Sequence, residues 1–186
     1  MKSKHILNTN IVQNGDPVLR EVAQTVPVHD ITSPKIQKII ADMKAALTPE
    51  KDGVALAAPQ IGVPLRIFIV SGAVLASADE KYFEKKSSID GVNAFPDLIF
   101  INPVITKASK EKEILEEGCL SVRYLYGKIK RSKKVSLRAY DEKGNKIERG
   151  ASGLLAQIFQ HETDHLDGVL FIDSAKQIQE ILPDYI

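Results

Sequence analysis

His161-Glu162-Thr163-Asp164-His165, late in the chain, follows the pattern H-E-x-x-H. On an α-helix, residues four apart share a face, so both imidazoles can bind one metal ion. Glu162 is turned about 100° around the helix axis, where its carboxylate can reach a water molecule on the metal without being a ligand. This spacing indicates metal-assisted hydrolysis. The alternative is a buried histidine pair on an ordinary helix, which would need hydrogen-bonding partners.

Two histidines leave the site incomplete, because catalytic metal sites usually have three protein ligands and one position for water. A third histidine, a carboxylate or the sole cysteine, Cys119, could complete the set. We interpret His5 and His29, which lie in N-terminal sequence without clear patterning, as surface residues. Cys119 follows a predicted strand through Ile114 and Leu115, and the glycine before it permits close approach of a ligand. A lone cysteine is otherwise more often a small buried hydrophobic residue.

A third segment, residues 53–60 (Gly-Val-Ala-Leu-Ala-Ala-Pro-Gln), combines small residues with a single amide side chain. The small residues allow close approach of another chain, and Gln60 offers a hydrogen-bond donor in apolar surroundings. A packed turn between a helix and a strand would explain the same segment equally well.

The elements that must position these residues are predicted from periodicity. Apolar residues at helical spacing predict helices over 34–47 and 153–166, and the second helix carries H-E-x-x-H. Ser33, followed by proline, and Ser152 are the predicted N-caps of these helices.

Runs rich in β-branched and aromatic residues predict strands at 65–71 and 98–105, and alternation predicts a hairpin between Val135 and Ile147. Hairpins with two separated helices favour an α+β fold. We predict a single compact domain over residues 1–186, in which antiparallel strands pack around a central metal-binding helix. The polar stretch 73–97 is interpreted as a surface insertion.

Composition excludes several functional classes. The 186 residues suffice for a hydrophobic core, and 44% hydrophobic with 26% charged residues is typical of a globular protein. The 25 basic and 24 acidic residues give a net charge of +1, too balanced for a dedicated nucleic-acid-binding protein. The chain shows no apolar run long enough for a membrane span and no secretory signal, and one cysteine fits a reducing compartment. We therefore expect a cytoplasmic protein.

Taken in order, the three segments resemble the motifs of the peptide deformylase family, G-x-G-L-A-A-x-Q, E-G-C-L-S and Q-H-E-x-D-H. They lie here at residues 53–60, 117–121 and 160–165. The similarity extends over most of residues 10–175, apart from the 73–97 insertion. Three ordered motifs of this length make the resemblance specific.

The sequence departs from the family pattern at three places. Ala55 replaces the usual second glycine of the first motif and adds a methyl group where substrate backbone is expected to run. Val122-Arg123 stands where the family commonly has a proline and an acidic residue. Gln157 occupies a position that is often apolar. These changes concern substrate fit and leave the chemical groups in place.

The resemblance implies hydrolysis of the N-formyl group from the N-terminal formylmethionine of newly synthesised polypeptides, with release of formate. It implies one divalent metal ion per chain, held by Cys119, His161 and His165. This ion would be Fe²⁺ in the cell, with Zn²⁺, Ni²⁺ or Co²⁺ in purified protein. Glu162 would transfer the proton. The Gln60 side chain and the Leu120 backbone N–H would stabilise the oxyanion.

The resemblance also suggests supporting residues and partners. Glu117 and Arg131 are expected to form an ion pair near the cysteine strand, with a surface pair as the alternative. The predicted substrate-binding residues, for which core packing is the rival interpretation, are Val54, Ala55, Leu115, Gly118, Leu154 and Ile158. The expected partners are formylated nascent peptide N-termini, with the ribosome nearby. We expect no direct nucleic-acid readout, no membrane association and a monomer.

Two other functions fit parts of the pattern. A metallopeptidase also uses H-E-x-x-H but usually takes its third ligand downstream, where the chain offers Asp167 and Asp173 but no histidine or glutamate before Glu180. The other alternative is a non-catalytic descendant that binds peptides or ribosomes, or a protein with a closed structural zinc site, which would need neither Glu162 nor Gln60. The upstream cysteine and these two residues favour the deformylase.

Overall fold

The structure, a computed structural model, describes residues 11–50, 52–74 and 95–182. Helix α1 spans Pro34–Leu47 and helix α2 spans Gly153–Leu166. The strands are β1 (Ala55–Ala57), β2 (Ile67–Val70), β3 (Leu98–Ala108), β4 (Lys112–Cys119), β5 (Val122–Ser132), β6 (Lys134–Tyr140), β7 (Lys146–Ser152) and β8 (Lys176–Glu180). His5 and most of the predicted insertion lie outside the described residues.

The strands form two antiparallel sheets. The larger has the order β1-β2-β3-β6-β7, and the smaller has the order β4-β5-β8. Every pairing between these strands is antiparallel. Antiparallel sheets with separate helices confirm the predicted α+β class.

Alternation along the central strands explains how both helices pack on the larger sheet. In β2, Phe68 and Val70 belong to the buried cluster that contains α2 residues, whereas Ile67 and Ile69 belong to the cluster with α1 residues. Successive side chains of a strand point to opposite faces, so the sheet lies between the two helices. Both faces of β2 are therefore buried, and its four residues are apolar.

Three phenylalanine rings join α2 to the larger sheet. The rings of Phe68 and Phe100 have centroids 4.8 Å apart, and Phe159 of α2 packs edge-on against Phe100 at 5.0 Å. Buried aromatic residues contribute large apolar areas and favour these tilted or offset arrangements. This contact fixes the helix that carries H-E-x-x-H against β2 and β3.

The predicted helix bounds agree with the structure, and both predicted serines occupy the N-cap positions, but only one of them makes a capping hydrogen bond. The Ser33 hydroxyl accepts a hydrogen bond from the Ile36 N–H, as a cap should, at 3.4 Å. Ser152 makes no such bond. It is the last residue of β7 and pairs with Lys134, so the sheet rather than the helix determines its conformation.

Two of the predicted strand bounds shift. The strand predicted at 65–71 is limited to β2, and the strand predicted at 98–105 continues as β3 to Ala108. The hairpin predicted between Val135 and Ile147 is confirmed as β6 and β7. Among the described residues, no helix has the length and apolar character needed to cross a membrane.

Candidate metal centre

The end of β4 and one face of α2 bring three metal-ligating side chains together. One ligand atom from each of Cys119, His161 and His165 lies within 4.8 Å of the other two. Cys119 Sγ is 3.1 Å from His165 Nε2. His161 and His165 are four residues apart, which places their imidazoles on the same side of the helix. A thiolate and two imidazoles are a donor set that suits Zn²⁺, Fe²⁺, Ni²⁺ or Co²⁺.

A buried carboxylate orients the first histidine. His161 Nδ1 lies 3.0 Å from Glu117 Oε2, which leaves Nε2 of the same ring for a metal ion. A ligating histidine commonly donates its other N–H to a carboxylate in this way, which fixes the ring and its tautomer.

Arg131 holds Glu117 through two parallel hydrogen bonds. Its Nε and Nη2 donate to the two carboxylate oxygens at 2.7 and 2.9 Å, and its Nη1 donates to Asp164 at 2.6 Å. The expected Glu117–Arg131 pair is thus present, and both side chains are buried. Sequence reasoning missed Asp164 because its partner lies 33 residues away, although it belongs to the H-E-x-x-H segment.

Two polar atoms at this site are buried without a partner. Among the described residues, Glu162 Oε2 and His165 Nδ1 are the buried side-chain atoms that make no hydrogen bond. Buried polar atoms are nearly always satisfied, and exceptions concentrate where a water, ion or ligand binds. The Glu162 oxygen therefore marks a place for a polar ligand.

The ionisation of these groups follows from burial and from their partners. Burial raises the pKa of Glu162 to about 7 and lowers the pKa of His165 well below its usual value. Burial alone would lower the pKa of His161, but hydrogen bonds to Cys119 and Glu117 outweigh burial and raise this pKa well above its usual value. The negative groups that favour a proton on His161 would equally favour a metal ion in its place, which binds the neutral imidazole.

Gln60 is held beside the cysteine by its own backbone turn. Its Oε1 accepts a hydrogen bond from the Ala57 N–H at 2.8 Å. This bond directs Nε2 toward Ser121 Oγ, at 3.1 Å, and Cys119 Sγ, at 3.6 Å. The short 3₁₀ helix Ala58–Ile61 supplies the turn, and the amide is only 2% exposed.

A cavity of about 220 Å³ opens beside the metal ligands, between β1, β4 and α2. Its wall includes Gln60, Leu120 and Glu162. The wall also includes five of the predicted substrate-binding residues, which are Val54, Ala55, Gly118, Leu154 and Ile158. Leu115, the sixth, is half-buried in β4 and does not belong to this wall.

The cavity wall also includes Tyr126, which the sequence did not assign to the pocket, and Gln157, which was expected to affect substrate fit. A Cβ atom on Gly118 would lie 2.6 Å from a ring carbon of Tyr126, so only glycine fits beside this ring. Gln157 lines the cavity and donates from Nε2 to the Glu116 carbonyl at 2.8 Å, joining α2 to β4. His29 is exposed and takes no part in the site.

The Arg131 network should make a large contribution to stability. We expect Arg131→Met to lower the free energy of unfolding of the metal-free protein by about 3–5 kcal/mol, because Glu117 and Asp164 lose their partner while partly or fully buried. Urea unfolding followed by circular dichroism measures this change. Lys133→Gln, which removes an exposed ion pair with Glu111, is the control and should have little effect.

The pH dependence of the free energy of unfolding tests whether the charge of Glu117 causes this loss of stability. Burial alone would raise the pKa of Glu117, but hydrogen bonds from Arg131 and His161 outweigh it and lower the pKa to about 2. Glu117 therefore stabilises the wild-type fold above its usual pKa, and this contribution disappears as the pH falls toward 2. The difference in the free energy of unfolding between wild type and Arg131→Met should therefore be smaller at about pH 3 than at neutral pH. An equal difference at neutral and acidic pH would exclude this explanation.

Comparison with known proteins agrees with the geometry. The sequence model of the polypeptide deformylase family matches residues 8–180. Peptide deformylase from Pseudothermotoga lettingae is 41% identical over 159 residues, which cover 86% of this chain and 78% of that protein. Peptide deformylase 1A, chloroplastic/mitochondrial, from Arabidopsis thaliana is 41% identical over 177 residues. The match covers 92% of this chain but only 63% of the length of the plant protein.

A solved structure has the same fold. The Met-Ala-Ser-bound crystal structure of the class I type b peptide deformylase from Acinetobacter baumannii superposes with a TM-score of 0.72 at 28% identity. The match covers 88% of this chain and 96% of that chain. The family match spans the cysteine segment, the two-histidine helix and the Gln60 turn, so the chain that assembles this site belongs to the peptide deformylase family.

Proposed function

We propose that this protein hydrolyses the N-formyl group of N-terminal formylmethionine in newly synthesised polypeptides and releases formate. The observation that carries the proposal is the buried Glu162 carboxylate, whose Oε2 has no hydrogen-bond partner among the described residues, beside the ligand cluster of Cys119, His161 and His165 at one cavity. Family membership supports the same reaction.

The three ligands would hold one divalent metal ion. When bound, this ion lowers the pKa of a water molecule and polarises the formyl carbonyl. We propose Fe²⁺ in the cell, with Zn²⁺, Ni²⁺ or Co²⁺ as substitutes in purified protein, because the donor set suits all four. Glu117 keeps His161 in the orientation and tautomer that the ligand role requires.

Glu162 would carry the proton through the reaction. Its free Oε2 accepts the proton of the attacking water, and the same oxygen then donates this proton to the departing amine nitrogen. In the metal-free site, burial raises the pKa of Glu162 to about 7, because the charged carboxylate is poorly solvated there. A carboxyl group that holds a proton more readily than an exposed one is suited to serve as both base and acid.

Gln60 and Leu120 would stabilise the negative oxygen that develops on the formyl carbon. The bond from the Ala57 N–H fixes the Gln60 amide, which places its Nε2 donor beside Cys119 at the metal-ligand end of the cavity. Leu120 directly follows the cysteine ligand and lines the cavity, which supports a role for its backbone N–H. One donor of this kind typically contributes about 3 kcal/mol to transition-state stabilisation.

The remaining walls would bind the methionyl peptide. Val54, Leu154 and Ile158 offer apolar surface for the methionine side chain. In the described part of the chain, β1 is an edge strand, so its backbone near Ala55 and the Gly118 segment of β4 offer groups to an extended peptide. The Acinetobacter protein was crystallised with Met-Ala-Ser, which supports a methionyl peptide as the ligand class.

We further propose that the protein is a single catalytic domain built around α2, which acts as a cytoplasmic monomer close to the ribosome. The substrates would be formylated nascent chains. The words chloroplastic/mitochondrial in the name of the Arabidopsis relative describe the location of that protein, and the proposal does not extend them to this chain.

Formate release tests the proposed function directly. The metal-loaded protein should release one formate from each formyl-Met-Ala-Ser molecule, detected with formate dehydrogenase. Unformylated Met-Ala-Ser should remain intact by mass spectrometry, because the proposed reaction breaks only the formyl amide bond. Cleavage of internal peptide bonds without formate release would instead identify a metallopeptidase.

A further inference from the structure

We propose that Arg123 is a positioning residue for the peptide that follows the formylmethionine. Its guanidinium joins the loop that forms one wall of the cavity to the strand beside the opposite wall. This inference rests on the proposed function, which supplies the peptide, and it goes beyond the residues assigned to the chemistry.

The contacts of Arg123 connect two separate parts of the cavity wall. Arg123 lies at the start of β5, and its Nη2 donates to Glu50 Oε2. Its Nη1 is 3.6 Å from Asp52 Oδ2. The exposed fractions of the side chains are 30% for Arg123, 25% for Glu50 and 62% for Asp52. The partly buried Glu50 contact is therefore the stronger of the two, because solvent screens the exposed Asp52 more.

Glu50 and Gly53 are joined in a compact turn that precedes the rest of the wall. The Gly53 N–H donates to the Glu50 carbonyl at 3.0 Å, and a Cβ on Gly53 would lie 2.8 Å from Glu50 Cβ. Val54 is joined to the larger sheet because its carbonyl accepts from the Ser71 N–H at 2.9 Å. From Val54 onward, hydrogen bonding to the larger sheet thus holds the wall in place. Asp52 and Gly53 depend instead on the turn at Glu50, which Arg123 binds.

The backbone next to Arg123 is also held in an unusual conformation. Tyr124 has a φ of 66°, in the left-handed region that side-chain-bearing residues rarely adopt. Its carbonyl accepts from the Ile181 N–H at 2.8 Å, so the chain after Arg123 is tied to the end of β8. Val122-Arg123 stands where the resembled family commonly has a proline and an acidic residue, so the link depends on this chain's own sequence.

The order of residues along the wall indicates which part of the peptide is affected. Gln60 lies beside the metal ligands, and the other residues of this segment that line the cavity, Ala55, Val54, Gly53 and Asp52, are successively farther from it along the chain. The formyl group must lie at the ligand end for the reaction to occur. Residues after the methionine would therefore lie against Gly53 and Asp52, the segment that Arg123 positions.

Kinetics with short and long substrates test the role. Arg123→Gln should raise KM for formyl-Met-Ala-Ser about tenfold while kcat stays within about twofold. KM for formyl-methionine amide, which ends before this part of the wall, should stay within about twofold. Glu50→Gln should give the same result, and the double variant should add nothing further, because both changes remove one interaction. Arg123→Lys, which keeps the charge, should raise KM for formyl-Met-Ala-Ser less than Arg123→Gln does.

Lys133→Gln is the matched control, since it removes an ion pair at the opposite end of the β4–β5 hairpin, and it should behave as wild type. Unchanged KM in Arg123→Gln, or an equal rise for both substrates, would overturn the inference. Amide hydrogen exchange keeps the inference testable even if wild type releases no formate and the proposed function fails. Exchange at Gly53 should be faster in Arg123→Gln than in wild type, and equal exchange would contradict the link.

Discussion

Replacing Cys119 by alanine is expected to leave a folded protein that binds almost no metal. Metal content should fall from one equivalent per chain to below about a tenth, because two imidazoles alone do not complete a three-ligand site. Formate release should fall by more than about 100-fold. Losing only the hydrogen-bond partner of a ligand already costs about 10- to 100-fold, and a direct ligand contributes more.

Two measurements independent of activity check the ligand role. Cys119 is the only thiol in the chain, so a thiol reagent should modify one group in metal-free protein and react far more slowly after metal is added. Cobalt-loaded wild type should show thiolate-to-cobalt charge-transfer absorption, and Cys119→Ala should not. His29→Ala, which removes an exposed histidine outside the site, is the control for metal content. A Cys119→Ala protein that retained a full equivalent of metal would contradict the assignment.

The two helices could be predicted from sequence because their signals are local. The predicted ranges 34–47 and 153–166 coincide with α1 and α2. Apolar residues three and four apart define the buried face of each helix, and those positions pack against the larger sheet. The H-E-x-x-H pair required only that its segment be helical. The ligand geometry on α2 therefore follows directly from residue spacing.

The sheet arrangement could not be predicted because strand pairing connects distant segments. β8 was missed, since Lys176–Glu180 is exposed at every residue and shows no apolar alternation. The three-residue strand β1 was interpreted only as a segment of small residues that could be a packed turn. Neither the order β1-β2-β3-β6-β7 nor the separation of β4-β5-β8 has a local signature.

The same distinction applies within the site. The three predicted ligands come together, because residue type alone restricts which side chains can hold a transition metal. Asp164 and Tyr126 were not foreseen, because each acts on a partner in another element. Their roles depend on how β5 lies against α2 and β4. The sequence therefore predicted the residues that carry the chemistry more completely than the residues that line the cavity or hold the ligands in place.

Replacing Glu162 by glutamine is expected to abolish most turnover while leaving the metal site and the fold intact. Glutamine keeps the size of the side chain but cannot accept the proton that the buried Oε2 would take. Loss of general acid–base catalysis should lower kcat by about 10³-fold. Metal content should remain at one equivalent, because the ligand atoms belong to Cys119, His161 and His165.

Stability separates this change from general damage to the site. Glu162 is 4% exposed, and burial raises its pKa because the charged carboxylate is poorly solvated there. A neutral amide removes the cost of that charge, so Glu162→Gln should unfold at the same temperature as wild type or at a higher one. Reduced kcat with retained metal and unreduced stability is the pattern expected of a group that acts only in the reaction.

Glu162→Asp should recover part of the rate, since it restores a carboxylate at a shorter reach. A Glu162→Gln variant with kcat within about tenfold of wild type would show that another group transfers the proton.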